Sequence, residues 1–262
     1  MESSSESVLP YILIGCIFYI FGLKWCIEYG KLWITPKTRI ESENPVPRVE
    51  QFARVCEKFF VRHPIEGGLK LICTAIGLLG TIISGLPDND TVSPKVVHAT
   101  IYLFFAFSGL VDVLAFYFRR NVLSELTNLA LAQSFFVEGF LFVWATKTDE
   151  SSGGMILNIL AATAWTTSVI IIIEIVWSDL KLLRGFSTIL HGGWLAHMVR
   201  TYPTVVTCEK VALAFSWHIA AAFGVTLCVV TITRRCQPKP VHQPQELPIY
   251  DYCNEPCHDL CN

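Results

Sequence analysis

The sequence predicts an all-α, polytopic membrane protein of seven transmembrane helices, and two observations carry that prediction. Only 16% of the 262 residues are charged while 52% are hydrophobic, and the mean hydropathy is +0.48. An average soluble domain carries roughly 25% charged residues. The apolar residues are also gathered into long uninterrupted blocks, where a soluble core would be broken every few positions by turns and charges. A helix crosses ~30 Å of hydrocarbon with about 20 mostly apolar residues at ~1.5 Å each. Blocks of that kind cover residues 9–26, 68–86, 97–118, 123–144, 155–177, 182–199 and 211–233.

Taken in order, residues 1–8 form a short N-terminal segment. The first block reads as a retained helix, because Glu2 and Glu6 precede it without a base, whereas a cleavable signal needs a positive start. The connection after it contains Phe52, Val55, Cys56, Phe59 and Phe60 at helical spacing, bounded by Pro47 and Pro64. It predicts a short helix over 49–61, lying on the cytosolic membrane face or packed against the bundle. The sixth block is the doubtful one, since it includes Arg184, His191 and His197, and the count of seven rests on it. Beyond the seventh, residues 234–262 read as a disordered tail, spaced by Pro238, Pro240, Pro244 and Pro248.

Basic residues mark the cytosolic side of a membrane protein. Of the 20 lysines and arginines, all but Lys95, Lys147, Arg200 and Lys210 fall in the first, third and fifth connections, their flanks and the tail. The N-terminus is thus expected to be lumenal or extracellular and the C-terminus cytosolic. Removing the sixth span would carry Arg234 and Arg235 to the lumenal side. The sequon Asn89-Asp90-Thr91 falls in a connection that this orientation makes lumenal, so Asn89 is the glycosylation candidate. Among the ten cysteines only Cys208 sits at a lumenal edge, which leaves no lumenal disulfide. Cys236, following two arginines at the membrane edge, is the acylation candidate. The cluster Cys253, Cys257, His258 and Cys261 offers soft ligands in a spacing that matches no common zinc module, and palmitoylation or plain exposed thiols explain it more simply. Leu247-Pro248-Ile249-Tyr250 offers a tail partner of the WW type a short docking motif.

Ionisable side chains inside a bilayer cost roughly 2.5–3.5 kcal/mol each on insertion scales, so each needs a partner or a purpose. Counting about 1.5 Å per residue from the lumenal ends places Glu138 about 9 Å deep, His218 about 10 Å and His191 about 12 Å. Three helices thus offer one candidate polar site, Glu138, His191 and His218, with His98 at its mouth. Asp112 and Glu174 lie toward the other end and form a second polar group. The site's chemistry suits a divalent metal such as zinc, or a proton relay, or a hydrogen-bonded register pin for the helices. An intramembrane metal-dependent hydrolase would need, in addition, a third well-placed histidine and an open metal position. Six residues apart, His191 and His197 face different ways and do not chelate together.

Other chemistries find no support. The sequence has no Gly-rich phosphate loop, no H-E-x-x-H and no G-x-S-x-G. Its basic region follows the topology and does not call for nucleic acid. Seven spans suggest rhodopsin-like receptors, yet the third helix ends Tyr117-Phe118-Arg119-Arg120 and the seventh has neither Asn-Pro-x-x-Tyr nor a central lysine. Gly109 and Gly192-Gly193 read as sites of close helix packing.

The run from His98-Ala99-Thr100-Ile101-Tyr102 to Ser108-Gly109-Leu110-Val111-Asp112 resembles the third-helix signature of the transmembrane protein 45 family. Phe135-Phe136-Val137-Glu138-Gly139-Phe140 resembles its fourth-helix motif, and Glu174, Leu190-His191-Gly192-Gly193-Trp194 and Ser216-Trp217-His218 fall where that family has similar short motifs. The resemblance runs from the first helix to Thr233. It implies a seven-helix protein of endomembranes or the cell surface and supplies no reaction, so no enzyme activity or resident cofactor is expected from it. The chain departs from the family pattern at Ala145 and Lys147, where a His-x-His pair is usual, and at His191, where glutamine is common. A metal role resting on the family's histidines is correspondingly weaker here.

Overall fold

The computed structural model describes residues 8–32, 64–83, 94–118, 124–146, 152–201 and 207–235. The expected interfacial helix over 49–61, the Asn89 sequon, Cys236 and the tail with its Cys/His cluster lie outside the described residues, as do residues 1–7. Seven α-helices account for nearly everything described: α1 (Val8–Leu32), α2 (Ile65–Ile83), α3 (Pro94–Tyr117), α4 (Ser124–Thr146), α5 (Ser152–Val176), α6 (Lys181–Thr201) and α7 (Cys208–Arg235). A single 3₁₀ turn over Ser178–Leu180 joins α5 to α6, and there is no strand among the described residues. Pro94 opens α3, a helical position where its missing N–H leaves no bond unmade.

Each apolar block of the sequence overlaps one of these helices. Six are long and apolar enough to cross a membrane; α6 is the exception among the described helices. It packs between α1, α5 and α7. Arg184, Ser187, Thr188 and His191, which deprive α6 of an apolar composition, are all buried. Neighbouring helices, not lipid, surround the polar face of this helix.

The tightest contact is between α1 and α6. Gly15 and Gly22 on α1 face Gly192 and Gly185 on α6, so the helices run antiparallel with small residues meeting every two turns. A Cβ at Gly192 would come within 2.6 Å of the Gly15 carbonyl oxygen, and one at Gly185 within 2.6 Å of Cys26 Sγ. Glycine at these positions lets the backbones touch, which is how helices associate where no hydrophobic effect draws them together. Gly67 and Gly109 do the same for α2 and α3. A Cβ at Gly193 would meet nothing closer than 3.7 Å, so of the Gly192-Gly193 pair only the first is required by packing.

Hydroxyls are used in the way a low-dielectric interior demands. Thr74, Thr81, Thr100, Thr166 and Thr188 each donate to a carbonyl of their own helix one turn back. Others cross between helices: Ser134 reaches the Phe104 carbonyl of α3 at 2.9 Å, and Ser168 reaches the Ala132 carbonyl of α4 at 2.8 Å. The outer face is the reverse of a soluble protein's. Ile72, Ile76 and Ile82 on α2, Phe136 and Phe140 on α4, and Trp217 and Phe223 on α7 are all more than half exposed. Large apolar surface of this kind marks contact with lipid or protein, and with charges buried inside it describes a multi-pass membrane protein.

Candidate functional site

His191 occupies the middle of α6, fully buried, and reaches both α5 and α4. Its Nδ1 lies 2.9 Å from Thr163 Oγ1 on α5. Its Nε2 lies 3.3 Å from Glu138 Oε2 on α4, inside ion-pair distance but without hydrogen-bond alignment. Neither of those two facing atoms has a hydrogen-bond partner among the described residues. Phe18 of α1 and Phe135 of α4 close over the imidazole edge-to-face, with centroids 5.2 and 5.6 Å from it. Aromatic carbon thus seals the pair on that side.

Thr163 Oγ1 is 2.8 Å from the Leu160 carbonyl, its own helix's preceding turn, and the hydroxyl donates there. With the hydroxyl so directed, its lone pairs can accept from His191 when Nδ1 carries the ring hydrogen. The other ring nitrogen, Nε2, then faces the Glu138 carboxyl across the α4–α6 contact. The site sets an acid and an imidazole side by side in a buried position.

The other residues singled out in the sequence fall elsewhere. His218 meets His197 and Trp194, at ring-centroid distances of 4.8 and 5.4 Å, and so forms an aromatic cluster between α6 and α7. His98 packs edge-on against Tyr11 at 4.7 Å, near the start of α3. Glu138 and His191 face each other, Nδ1 lies against Thr163, and no three His, Cys, Asp or Glu side chains converge among the described residues. His191 turns toward α4 and α5, while His197 turns toward α7, so the two rings diverge as their six-residue spacing requires.

Asp112 and Glu174 separate into two ionic networks away from this pair. Asp112 accepts from Lys70 at 2.6 Å; Lys70 also lies 3.3 Å from Glu66, and Glu66 binds Lys24, joining α1, α2 and α3. Glu174 pairs with Arg184 at 3.2 Å, and Arg184 reaches Asn128 at 3.3 Å, joining α4, α5 and α6. The Arg184 guanidinium stacks 4.3 Å from the Trp25 ring centroid, which links the second network back to α1. The sequence points to the two acids but not to these partners, because Lys24, Lys70 and Arg184 read there as bases of the membrane edge. Thr163 escapes a search confined to ionisable side chains, although counting ~1.5 Å per residue from the start of its block gives about 12 Å, the depth of His191. No protein-family model matches the chain.

Proposed function

We propose that this chain is a seven-span integral membrane protein of endomembranes or the plasma membrane, N-terminus lumenal or extracellular and C-terminus cytosolic, of the non-enzymatic kind implied by its resemblance to the transmembrane protein 45 family. The observation that carries the reading is the inverted polarity of the bundle, apolar outside with paired charges within. Counting α6 as a span is supported by its 21 residues, about 31 Å of helix, and by its antiparallel place against α1. The orientation is supported by Gly30 meeting Thr233, which brings the end of α7, with Arg234 and Arg235, to the end of α1 where Lys24, Lys70 and Arg184 gather. The bases then share a side, as cytosolic bases do. Protease added to sealed microsomes should remove a C-terminal tag; a protected tag overturns the orientation, and with it the seven spans.

A second reading, proton-coupled transport, is supported by the buried juxtaposition of an acid and an imidazole, Glu138 and His191, 3.3 Å apart. In proteoliposomes Glu138→Gln should abolish pH-dependent flux, because an amide holds the position without exchanging a proton. Unchanged flux in the variant sinks this reading.

A further inference from the structure

A narrow, half-open crevice runs between α1 and the α2–α3 pair with α4 as its floor. We propose that it holds one acyl chain of a zwitterionic phospholipid, drawn from the leaflet on the Lys24 side. The surface it presents is apolar throughout, with Phe18, Phe21, Tyr102, Phe105 and Phe135 forming most of the wall. Two polar lining residues are already engaged, Thr74 with the Lys70 carbonyl and Lys70 with Asp112 and Glu66. A ligand with polar groups along its length finds nothing to bond; a hydrocarbon chain loses nothing.

Length, mouth and charge agree on the occupant. Along α1 the lining extends from Ile14 to Trp25, about 17 Å at ~1.5 Å per residue, close to one leaflet of the ~30 Å hydrocarbon layer. The half-buried Ile17 and Cys73 stand at the rim, and the exposed Leu13, Ile20 and Ile76 flank them on the same helices, so the mouth opens sideways into hydrocarbon. At the Lys24 end the charges come in both signs: Lys24 lies 3.0 Å from Glu28 and also binds Glu66, beside Lys70 and Asp112. With three acids against two bases there is no unpaired cation in this group for the carboxylate of a free fatty acid. A zwitterionic head adds no net negative charge and brings an amine to the surplus acid, Glu28 being the most open of the three. A chain seated here presses on Phe18 and Phe135, the two rings that cover His191.

The test is photo-cross-linking of the full chain in nanodiscs containing phosphatidylcholine with a diazirine on one acyl chain. Cross-links at Ile14, Ile17, Cys73 and Ile101 are expected to exceed the general labelling of exposed α7 residues such as Phe223 several-fold, and Ile14→Trp, which fills the crevice, should remove the excess. Cys73→Phe, at the rim, serves the same purpose if the first variant does not assemble. No enrichment, or enrichment unchanged in the assembled filled variant, overturns the proposal; stronger labelling by a diazirine fatty acid overturns its choice of phospholipid. The proposal rests on membrane insertion, which the α7 labelling reports separately: loss of both signals is failure of insertion, loss of the crevice signal alone is failure of the crevice.

Discussion

At the scale of single residues, the core pair is legible because ionisable side chains in apolar blocks are rare and costly. Counting residues from a helix end gives depth, and depth brings Glu138 and His191 to neighbouring levels. It gives no rotation about the helix axis, which is why His218, at a similar height, stacks instead on His197 and Trp194. The energetics of the pair sharpen what Glu138→Gln tests. Glutamine has the same length and can donate an amide hydrogen toward His191 Nε2, so its effect on stability should stay within about 1 kcal/mol. Glu138→Leu replaces the polar group facing that buried nitrogen with hydrocarbon and should cost about 1–3 kcal/mol. Detergent-solubilised thermal unfolding separates the two, and a Gln variant that loses flux while keeping its melting temperature assigns the loss to the proton.

At the scale of elements, the six apolar helices can be read from composition alone, because each carries enough apolar length to face lipid. The sixth is harder to read, because its place depends on what surrounds it: Arg184 and His191 are compatible with a buried helix only when Glu174, Asn128, Glu138 and Thr163 arrive from neighbours. The seven-residue spacing of Gly15 and Gly22, matched by Gly185 and Gly192, is visible in the sequence. Its meaning requires knowing that α1 and α6 are partners, and nothing local in either segment says so. That pairing makes a sharp prediction within one dipeptide. Gly192→Leu drives a side chain into the Gly15 carbonyl and the Tyr19 backbone and should destabilise the bundle by about 1–3 kcal/mol or prevent assembly. Gly193→Ala, with nothing closer than 3.7 Å, should be nearly neutral. Melting temperatures in detergent that fall equally for both variants would refute the α1–α6 contact.

At the scale of the whole molecule, the two ionic networks between them tie six helices together. The sequence shows bases collecting on one side, which is a statement about topology; it does not show three of them turning inward to meet acids. Burial makes such pairs asymmetric in their effects. Breaking one by removing a single partner strands the other charge and costs about 3–5 kcal/mol, whereas replacing both with apolar groups is often close to neutral. Arg184→Met should therefore destabilise strongly, because the Glu174 side chain is 2% exposed and would keep its charge or its proton without a cation beside it. Adding Glu174→Leu should recover most of the loss. The recovery stays incomplete by about 0.5–2 kcal/mol, since the Arg184 stack on Trp25 is gone in both variants. Thermal unfolding of the single and double variants in nanodiscs decides the matter: a double variant no more stable than Arg184→Met would mean that the arginine holds the bundle through Trp25 and Asn128, and that the ion pair with Glu174 contributes little.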